Sequence, residues 1–597
     1  MAKSRIIKLT AENFVGKEYV DIAMEKRIFL FVKSKSKVIL KTSGINSLHF
    51  LLFFLIASLS PAAAQISTPG LPASFSKNLP ADAVPLFKIA APDTEQLLRE
   101  DAFTDKYGIA MRFAQNEPTH IDLAKDGLWQ QIDDGSQVCR LAITSVGGQA
   151  LILYYSNFII PAGAQLFLYD EQQRQIAGAF TGANNRNGGA FATQMIYGST
   201  TILEYHSTSK NPRHPQIIID EVGYVYRTAE TIYGTRGFGG SDFCEVNVAC
   251  PEGAQWQQQA KGVARIIVKQ GTSSVWCTGS LLNNTLLDHT PWLLTADHCG
   301  PNATQSDLDQ WVFYFKYQSP DCENPTSDSA FRFYTIVGAT KVASAGGAGV
   351  KSDFKLLLLN ETVPDEYEPF YNGWSAEAAP STHGVTIHHP QGDIKKISTF
   401  TQPLISDNWG SIPGTHWRVT WAQTQTNWGV TEGGSSGSPL FNPDGLIVGQ
   451  LTGGTASCSH ATSPDYYGKF SYSWDQSDTL PEGQLKPWLD PDNMGVLALE
   501  GITDIPETKK NASDLVIFPN PNHGIVFIKL KEQNNVLVEI EVLDIAGRKI
   551  FQQSENAPSC QIAELDLRHL EYGIYFVKVK QRNGAIAVGK LVLRGYK

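Results

Sequence analysis

Three short segments hold the residue types that acyl transfer requires. Trp292-Leu-Leu-Thr-Ala-Asp-His298-Cys299-Gly300 sets a histidine at the end of an apolar run, beside a cysteine able to pin its loop. Fifty-five residues on, Ser352-Asp353-Phe-Lys-Leu-Leu-Leu-Leu359 places a carboxylate just before another apolar run. Eighty-three residues beyond that, Gly433-Gly434-Ser435-Ser436-Gly437-Ser438-Pro439 surrounds serines with glycines. Glycines let the backbone turn sharply, expose a hydroxyl and aim N–H groups at a developing oxyanion. A nucleophile, a base held in one orientation and fixed N–H donors are the parts acyl transfer needs. Singly each motif is weak, since a His beside a Cys is more often structural and a Gly/Ser loop is usually a turn. Together, in this order and in one segment, they point to Ser436 as nucleophile, His298 as base and Asp353 as its orienting carboxylate.

The elements that must position these residues read as strands. From Gly237 to about Gly501 the chain offers short β-like runs such as Gly262-Val-Ala-Arg-Ile-Ile-Val268, Trp311-Val-Phe-Tyr-Phe315 and Gly445-Leu-Ile-Val-Gly449, which favours a barrel or sandwich. A short closing helix is expected between Gly483 and Leu489. Upstream, residues 65–236 alternate in the manner of strands (Ala150-Leu-Ile-Leu-Tyr-Tyr155, Thr201-Ile-Leu-Glu-Tyr205) and read as an all-β sandwich with no catalytic constellation. Between them lies Gly234-Thr-Arg-Gly-Phe-Gly-Gly240, where the Arg236–Gly237 bond is a natural site for nicking. A polar connector over residues 504–513 leads to a last β-patterned unit, 514–597.

At 597 residues the chain is too long for one ordinary domain. Its net charge of −10, with no Lys/Arg-dense block after the first fifty residues, argues against a general nucleic-acid binder. Residues 1–64 read as an export signal: Lys33, Lys35, Lys37 and Lys41, the apolar run Phe50–Leu59, then Pro61-Ala62-Ala63-Ala64-Gln65. The basic part is unusually long, so Met24 is a candidate true start. Six cysteines, Cys244, Cys250, Cys277, Cys299, Cys322 and Cys458, crowd one segment of this exported chain and argue for disulfides rather than a metal site. Fifteen pairings are open at this level. Cys139 and Cys560 stand alone and read as free thiols.

The order His, Asp, Ser is that of chymotrypsin-type enzymes, distinct from subtilisin and the α/β-hydrolases. The resemblance is closer still: Ser241 to about Gly501 resembles bacterial lysyl endopeptidase of the Achromobacter and Lysobacter type. The residues that carry it are Cys244…Cys250-Pro-Glu-Gly, Cys277-Thr-Gly-Ser-Leu, Leu294-Thr-Ala-Asp-His-Cys-Gly300, Ser352-Asp-Phe, Ile387-His-His-Pro390, Gly429 to Pro439, Gly449-Gln-Leu451 and Trp488-Leu-Asp-Pro491. It implies a chymotrypsin-like double β-barrel at 237–503 that hydrolyses peptide bonds without a cofactor, preceded by a β-sandwich propeptide at 65–236. It implies Ser436 as nucleophile, His298 as base, Asp353 as the holder of its tautomer, and the N–H groups of Gly434 and Ser436 as the oxyanion hole. It also implies the disulfides Cys244–Cys458, Cys250–Cys322 and Cys277–Cys299.

The resemblance further implies an acidic residue under the specificity pocket, and the matching position is Asp465, expected as a buried and unpaired carboxylate. Glu432 either adds negative potential nearby or is a solvated loop residue. The family's pocket histidine is replaced by Thr452, so the stacked pair it makes with a tryptophan, here Trp409, is lost and the pocket is expected to be roomier. The expected substrates are proteins and peptides cut after Lys, and also after Arg. Ser435 stands where many animal relatives carry an aspartate that pairs with a freed N-terminus, so that switch is not expected. The propeptide is expected to assist folding or cover the cleft. His388 and His389 lack a third ligand at zinc spacing, so no metal is expected.

The last unit resembles the type A sorting domain of the Bacteroidetes type IX secretion system. Ile517-Phe-Pro-Asn-Pro-Asn-His-Gly524, Val542-Leu-Asp-Ile-Ala-Gly547, Leu570-Glu-Tyr-Gly-Ile-Tyr-Phe-Val577 and Gly589-Lys-Leu-Val592 carry the resemblance. It implies handling by that machinery and a secreted or surface-attached product, expected as a monomer. Two competing functions share these features. An inactive protease-fold adhesion protein would not call for an intact triad, and an esterase would not call for a charged pocket base.

Overall fold

The computed structural model describes most of residues 70–593. Residues 1–69 and 594–597 lie outside it, as do 106–109, 208–213, 228–239, 326–330, 347–350, 504–514, 531–536, 555–561 and a few shorter stretches. The export signal with Met24, the Arg236–Gly237 bond, the polar connector and Cys560 therefore fall outside the described residues.

Among the described residues strands far outnumber helices. In the amino-terminal unit a six-stranded sheet is centred on Gln137–Ser145, Thr200–Ser207 and Gln165–Asp170, with Leu86–Ile89, Leu128–Gln131 and Ile176–Phe180 at its margins. Cys139 is buried in it as a free thiol, and burial pushes its pKa up to about 12. One helix, Thr94–Thr104, starts where the Asp93 side chain accepts the Gln96 N–H at 2.9 Å, which satisfies an otherwise orphaned donor.

The unit is β-rich, as expected from sequence, its two sheets share one core, and one of them continues beyond the unit. Its long strand β1 (Arg112–Asp122) pairs on one side with Gln216–Val225, which pairs with Ala150–Ile159. On its other side β1 pairs with a strand of the following domain, so one twelve-stranded sheet runs through both. The alternating pattern of β1 is that of any strand; the identity of its partner is set by long-range packing that periodicity does not encode.

The first half of the following domain forms one barrel from β2 (Val263–Gln270), β3 (Ser273–Leu282), β4 (Trp292–Ala296), Val312–Phe315, Tyr334–Val337, Ala339–Ser344 and β5 (Phe354–Leu359). Several of its strands, such as Val312–Phe315 and β5, are mostly apolar, and the inward residues, among them Ile266, Leu281, Leu293, Phe313 and Leu357, make one core. The second barrel is a nine-stranded sheet. In it β6 (Pro439–Phe441), β7 (Ile447–Gly454) and β8 (Asp465–Lys469) lie between Gly384–His388 and His416–Val419. The closing helix is shorter than expected, Lys486–Leu489 behind a 3-10 turn at Pro481–Gly483, and a second helix, Phe470–Asp475, follows β8. In the last unit a three-stranded and a four-stranded sheet share a core of residues such as Val526, Ile540, Leu565 and Val577, a small sandwich.

Candidate active site

The two barrels deliver His298, Asp353 and Ser436 to one point. β4 ends at Ala296 and releases His298 two residues later; β5 begins at Phe354, immediately after Asp353. Because β4 and β5 pair antiparallel, with Ala296 opposite Phe354, the two loops leave the sheet at the same edge. Asp353 Oδ2 accepts from His298 Nδ1 at 2.6 Å, and Oδ1 accepts the backbone N–H of the same histidine at 2.9 Å. His298 Nε2 lies 2.8 Å from Ser436 Oγ. Asp353 is fully buried and sits at φ +58°, a left-handed conformation that a non-glycine residue holds only under packing.

The serine loop is glycine-bound for steric reasons. Gly434 has φ +94° and Gly437 +83°; a Cβ on Gly437 would stand 2.2 Å from Thr295 Oγ1. The Gly433 carbonyl accepts the Gln391 N–H at 2.6 Å. In a planar trans peptide the N–H points opposite to the C=O, so the Gly434 N–H is turned the other way. Thr278 clamps the loop from β3, its N–H donating to the Ser436 carbonyl at 2.8 Å and its Oγ1 to the Gly434 carbonyl at 2.9 Å. Ser435 Oγ is engaged by His388 Nδ1 at 2.8 Å, and the far ring nitrogen of His388 reaches Ser398 Oγ at 2.9 Å. His389 uses Nδ1 on the Asp393 carbonyl at 2.9 Å.

Sequence reasoning missed a cation at this site. Lys355, two residues after Asp353 on β5, is 2 % exposed and donates to the carbonyls of Cys299 and Gly300 at 2.8 and 2.9 Å. It thereby ties the strand that carries the aspartate to the loop that carries the histidine. Burial pulls its pKa down to about 8, against the attraction of Asp297 at 3.8 Å. Its alternation within the Phe354–Leu359 run was the available signal, a lone lysine in an otherwise apolar buried strand. Behind His298 the Cys277–Cys299 disulfide joins β3 to the same loop; the structure also closes Cys244–Cys458 and Cys250–Cys322.

The pocket residues require corrections. Asp465 is buried as expected but is not without partners. Its Oδ2 accepts from Trp421 Nε1 and Thr431 Oγ1, both at 2.7 Å, and Oδ1 accepts the Ala456 N–H at 3.1 Å. Burial still outweighs these bonds and raises its pKa to about 6. Gly454 lies opposite Asp465 on β7, and a Cβ there would stand 1.8 Å from Asp465 Oδ1, so glycine alone leaves the carboxylate room. Thr452 is buried and bonds His416 Nε2 at 3.0 Å, while Trp409 packs on Tyr466 at 5.2 Å and lies over Gly453. Thr452 is therefore partnered by a histidine from a neighbouring strand that sequence reading did not single out. Burial pulls the His416 pKa down to about 4, so the ring is neutral. Glu432 is no fully solvated loop residue: it is half-buried, accepts the Asp242 N–H at 2.9 Å, and has its pKa raised by desolvation, as has the neighbouring Glu245.

An all-β fold of two barrels with a hydrogen-bonded Asp–His–Ser line at their junction is that of a serine protease. Residues 238–468 match the family described as lysyl endopeptidase, C-terminal domain, and residues 516–594 match the secretion system C-terminal sorting domain. The lysyl endopeptidase of Pseudomonas aeruginosa is 28% identical over 424 residues, covering 65% of this chain and 85% of that protein. Among solved structures, Rv3671c from M. tuberculosis in an inactive mutant form is 13% identical, with a TM-score of 0.24, covering 37% of this chain and 87% of that one. A thermostable serine protease from an extremophilic microorganism is also 13% identical at a TM-score of 0.24, covering 36% and 92%. Both resemblances read from the sequence, to lysyl endopeptidase and to the type IX sorting domain, thus recur in these matches. The chain is a secreted serine protease with a carboxyl-terminal sorting domain, released or held at the cell surface.

Proposed function

We propose that the protein is an endopeptidase that cuts on the carboxyl side of lysine, and also of arginine, with His298, Asp353 and Ser436 as its catalytic triad. The hydrogen-bonded line Asp353–His298–Ser436 is the observation that carries this reading. Ser436 Oγ attacks the scissile carbonyl as its proton passes to His298 Nε2, and the oxyanion is received by the N–H groups of Gly434 and Ser436. The imidazolium returns that proton to the leaving amine, and water repeats the sequence on the acyl-enzyme. Asp353 holds the tautomer with Nδ1 protonated and stabilises the cation. Asp465, ionised above pH 6 and lacking a cationic partner among the described residues, supplies the charge that a lysine or arginine side chain would neutralise.

In the same reading, residues 1–64 are an export signal, 65–236 a propeptide severed after Arg236, 237–503 the protease, 504–513 a connector and 514–597 the sorting domain handled by the type IX machinery. A fluorophosphonate probe together with a peptide library tests the proposal. Labelling of Ser436 abolished in Ser436→Ala, with cuts after Lys and Arg, is expected. Absent labelling would favour the inactive adhesion protein, and absent arginyl cleavage would restrict the enzyme to lysine.

A further inference from the structure

The bond from the Gln391 N–H to the Gly433 carbonyl decides which way the Gly434 N–H points, and what holds Gln391 comes from the first barrel. Gln391 lies in the turn Pro390–Gly392 at φ +55° and ψ 19°, a left-handed conformation that a non-glycine residue keeps only where its neighbours impose it. The turn sits directly on the serine loop, since a Cβ on Gly434 would stand 2.9 Å from the His389 carbonyl oxygen and the Gly392 nitrogen. Gly392, at φ +68°, lies against Trp276; a Cβ there would stand 2.5 Å from two atoms of the indole. One end of the turn is tied by the His389 N–H, which donates to Thr278 Oγ1 at 3.1 Å. At the other end the Gly392 carbonyl accepts from Arg265 Nη1 at 2.8 Å.

Arg265 stands on β2, opposite Thr278 of β3 on one side and Tyr314 of Val312–Phe315 on the other. Residues directly opposite one another share a face of the sheet, so Arg265 and Thr278 point the same way, one at the turn and one at the serine loop. The arginine is 2 % exposed. Its guanidinium carbon lies 3.6 Å from the ring centre of Tyr317, 4.1 Å from that of Tyr314 and 4.6 Å from that of Trp276. No carboxylate forms an ion pair with it among the described residues; the groups that favour its charge are tyrosines. A buried cation is costly unless aromatic faces and acceptors stand in for water. Here the rings fix the plane of the guanidinium and leave one N–H aimed at Gly392.

We infer that Arg265 is a positioning residue for the oxyanion hole: through Gly392 and Gln391 it keeps the Gly433–Gly434 peptide turned so that the Gly434 N–H faces the reacting carbonyl. Without the guanidinium the turn loses the tie at its second end, and the left-handed Gln391 is free to relax. Rotation of the Gly433–Gly434 peptide would then bring the Gly433 carbonyl oxygen toward the place of the N–H, so that a developing oxyanion meets a lone pair instead of a donor. The effect falls on the transition state, where the substrate oxygen is charged, and not on the pocket that holds the basic side chain. The inference rests on the proposed function, with Ser436 as the nucleophile.

The test uses the full chain and two inhibitors. A lysyl peptide aldehyde takes Ser436 Oγ onto its carbonyl carbon and leaves its oxygen in the oxyanion hole, whereas butylamine fills the basic-residue pocket alone. Arg265→Met is expected to lower kcat on a lysyl peptide by roughly tenfold to a hundredfold with KM nearly unchanged, part of what one oxyanion donor supplies. Aldehyde binding should weaken by about the same factor, while the inhibition constant of butylamine stays within about twofold. Arg265→Lys is the second variant, and it decides alone should the methionine variant fail to fold. Its ammonium keeps the buried charge but has no plane to lie between the rings, so the same split with a smaller loss is expected. Unchanged kcat and aldehyde affinity, or an equal weakening of aldehyde and butylamine, would overturn the inference. A wild type that neither labels with fluorophosphonate nor cleaves a lysyl peptide would instead refute the proposed function, and the inference with it. A wild type that labels but ignores lysyl peptides refutes the specificity alone; the labelling rate, expected to fall in both variants, then reads the oxyanion hole, and an unchanged rate overturns the inference.

Discussion

Asp353 grips His298 twice, through Oδ2 on the ring Nδ1 at 2.6 Å and through Oδ1 on the backbone N–H at 2.9 Å. The second bond fixes the loop, and the first fixes the ring on that loop. Losing the charge therefore separates orientation from electrostatics.

Asp353→Asn keeps the volume but presents an amide N–H or a neutral oxygen to Nδ1, which favours the wrong tautomer. A fall in kcat of roughly 10⁴ with little change in KM is expected. Steady-state kinetics on a lysyl peptide measure it, and a loss below tenfold would contradict the assigned role.

Gly434→Ala probes the oxyanion donors. At φ +94° a Cβ would stand 2.9 Å from the His389 carbonyl oxygen and the Gly392 nitrogen, so the peptide must rotate and carry its N–H out of place. The expected loss in kcat is about 10²–10³. The folded state is checked by circular dichroism, so that the loss is read as one of catalysis.

Asp465 predicts a pH dependence. Its pKa is raised to about 6 by burial, so the carboxyl is neutral below that pH and the attraction for a basic side chain disappears. KM for lysyl peptides should rise as pH falls through 6, with kcat/KM for a neutral-residue ester unaffected by this group. For stability the sign is opposite. A carboxyl with a raised folded pKa favours the fold most below its unfolded value, and loses about 3 kcal/mol of that contribution as pH rises through 6. A lysine-analogue ligand should accordingly raise Tm more at pH 7 than at pH 5, and an equal rise would count against Asp465 as the cation's partner.

Lys355→Met removes the ammonium from the Cys299 and Gly300 carbonyls while keeping most of the side-chain volume. Displacement of the His298 loop should lower kcat by roughly tenfold to a hundredfold and leave KM nearly unchanged. The rate of fluorophosphonate labelling should fall in parallel. With a pKa near 8, the wild-type amine loses its proton at mildly alkaline pH, so part of the wild-type decline above pH 8 should be absent from the variant.

The sequence by itself determined the parts that are written locally. His298 at the end of one apolar run, Asp353 at the start of another and Ser436 among glycines are each legible because a strand end and a positive-φ turn constrain only their own neighbours. The β character of all three units was legible for the same reason, from alternation and short apolar runs. Tertiary structure alone decided how the strands pair and what surrounds each buried polar group. It placed β1 on β3, and put Lys355 beneath the His298 loop. It also gave Asp465 three donors, one of them from Trp421, forty-four residues away. Partners such as His416 for Thr452, or Asp242 for Glu432, come from distant stretches of chain. A buried polar group must find some partner, because leaving it without one costs about 1–3 kcal/mol, but which partner it finds is settled by how the barrels close.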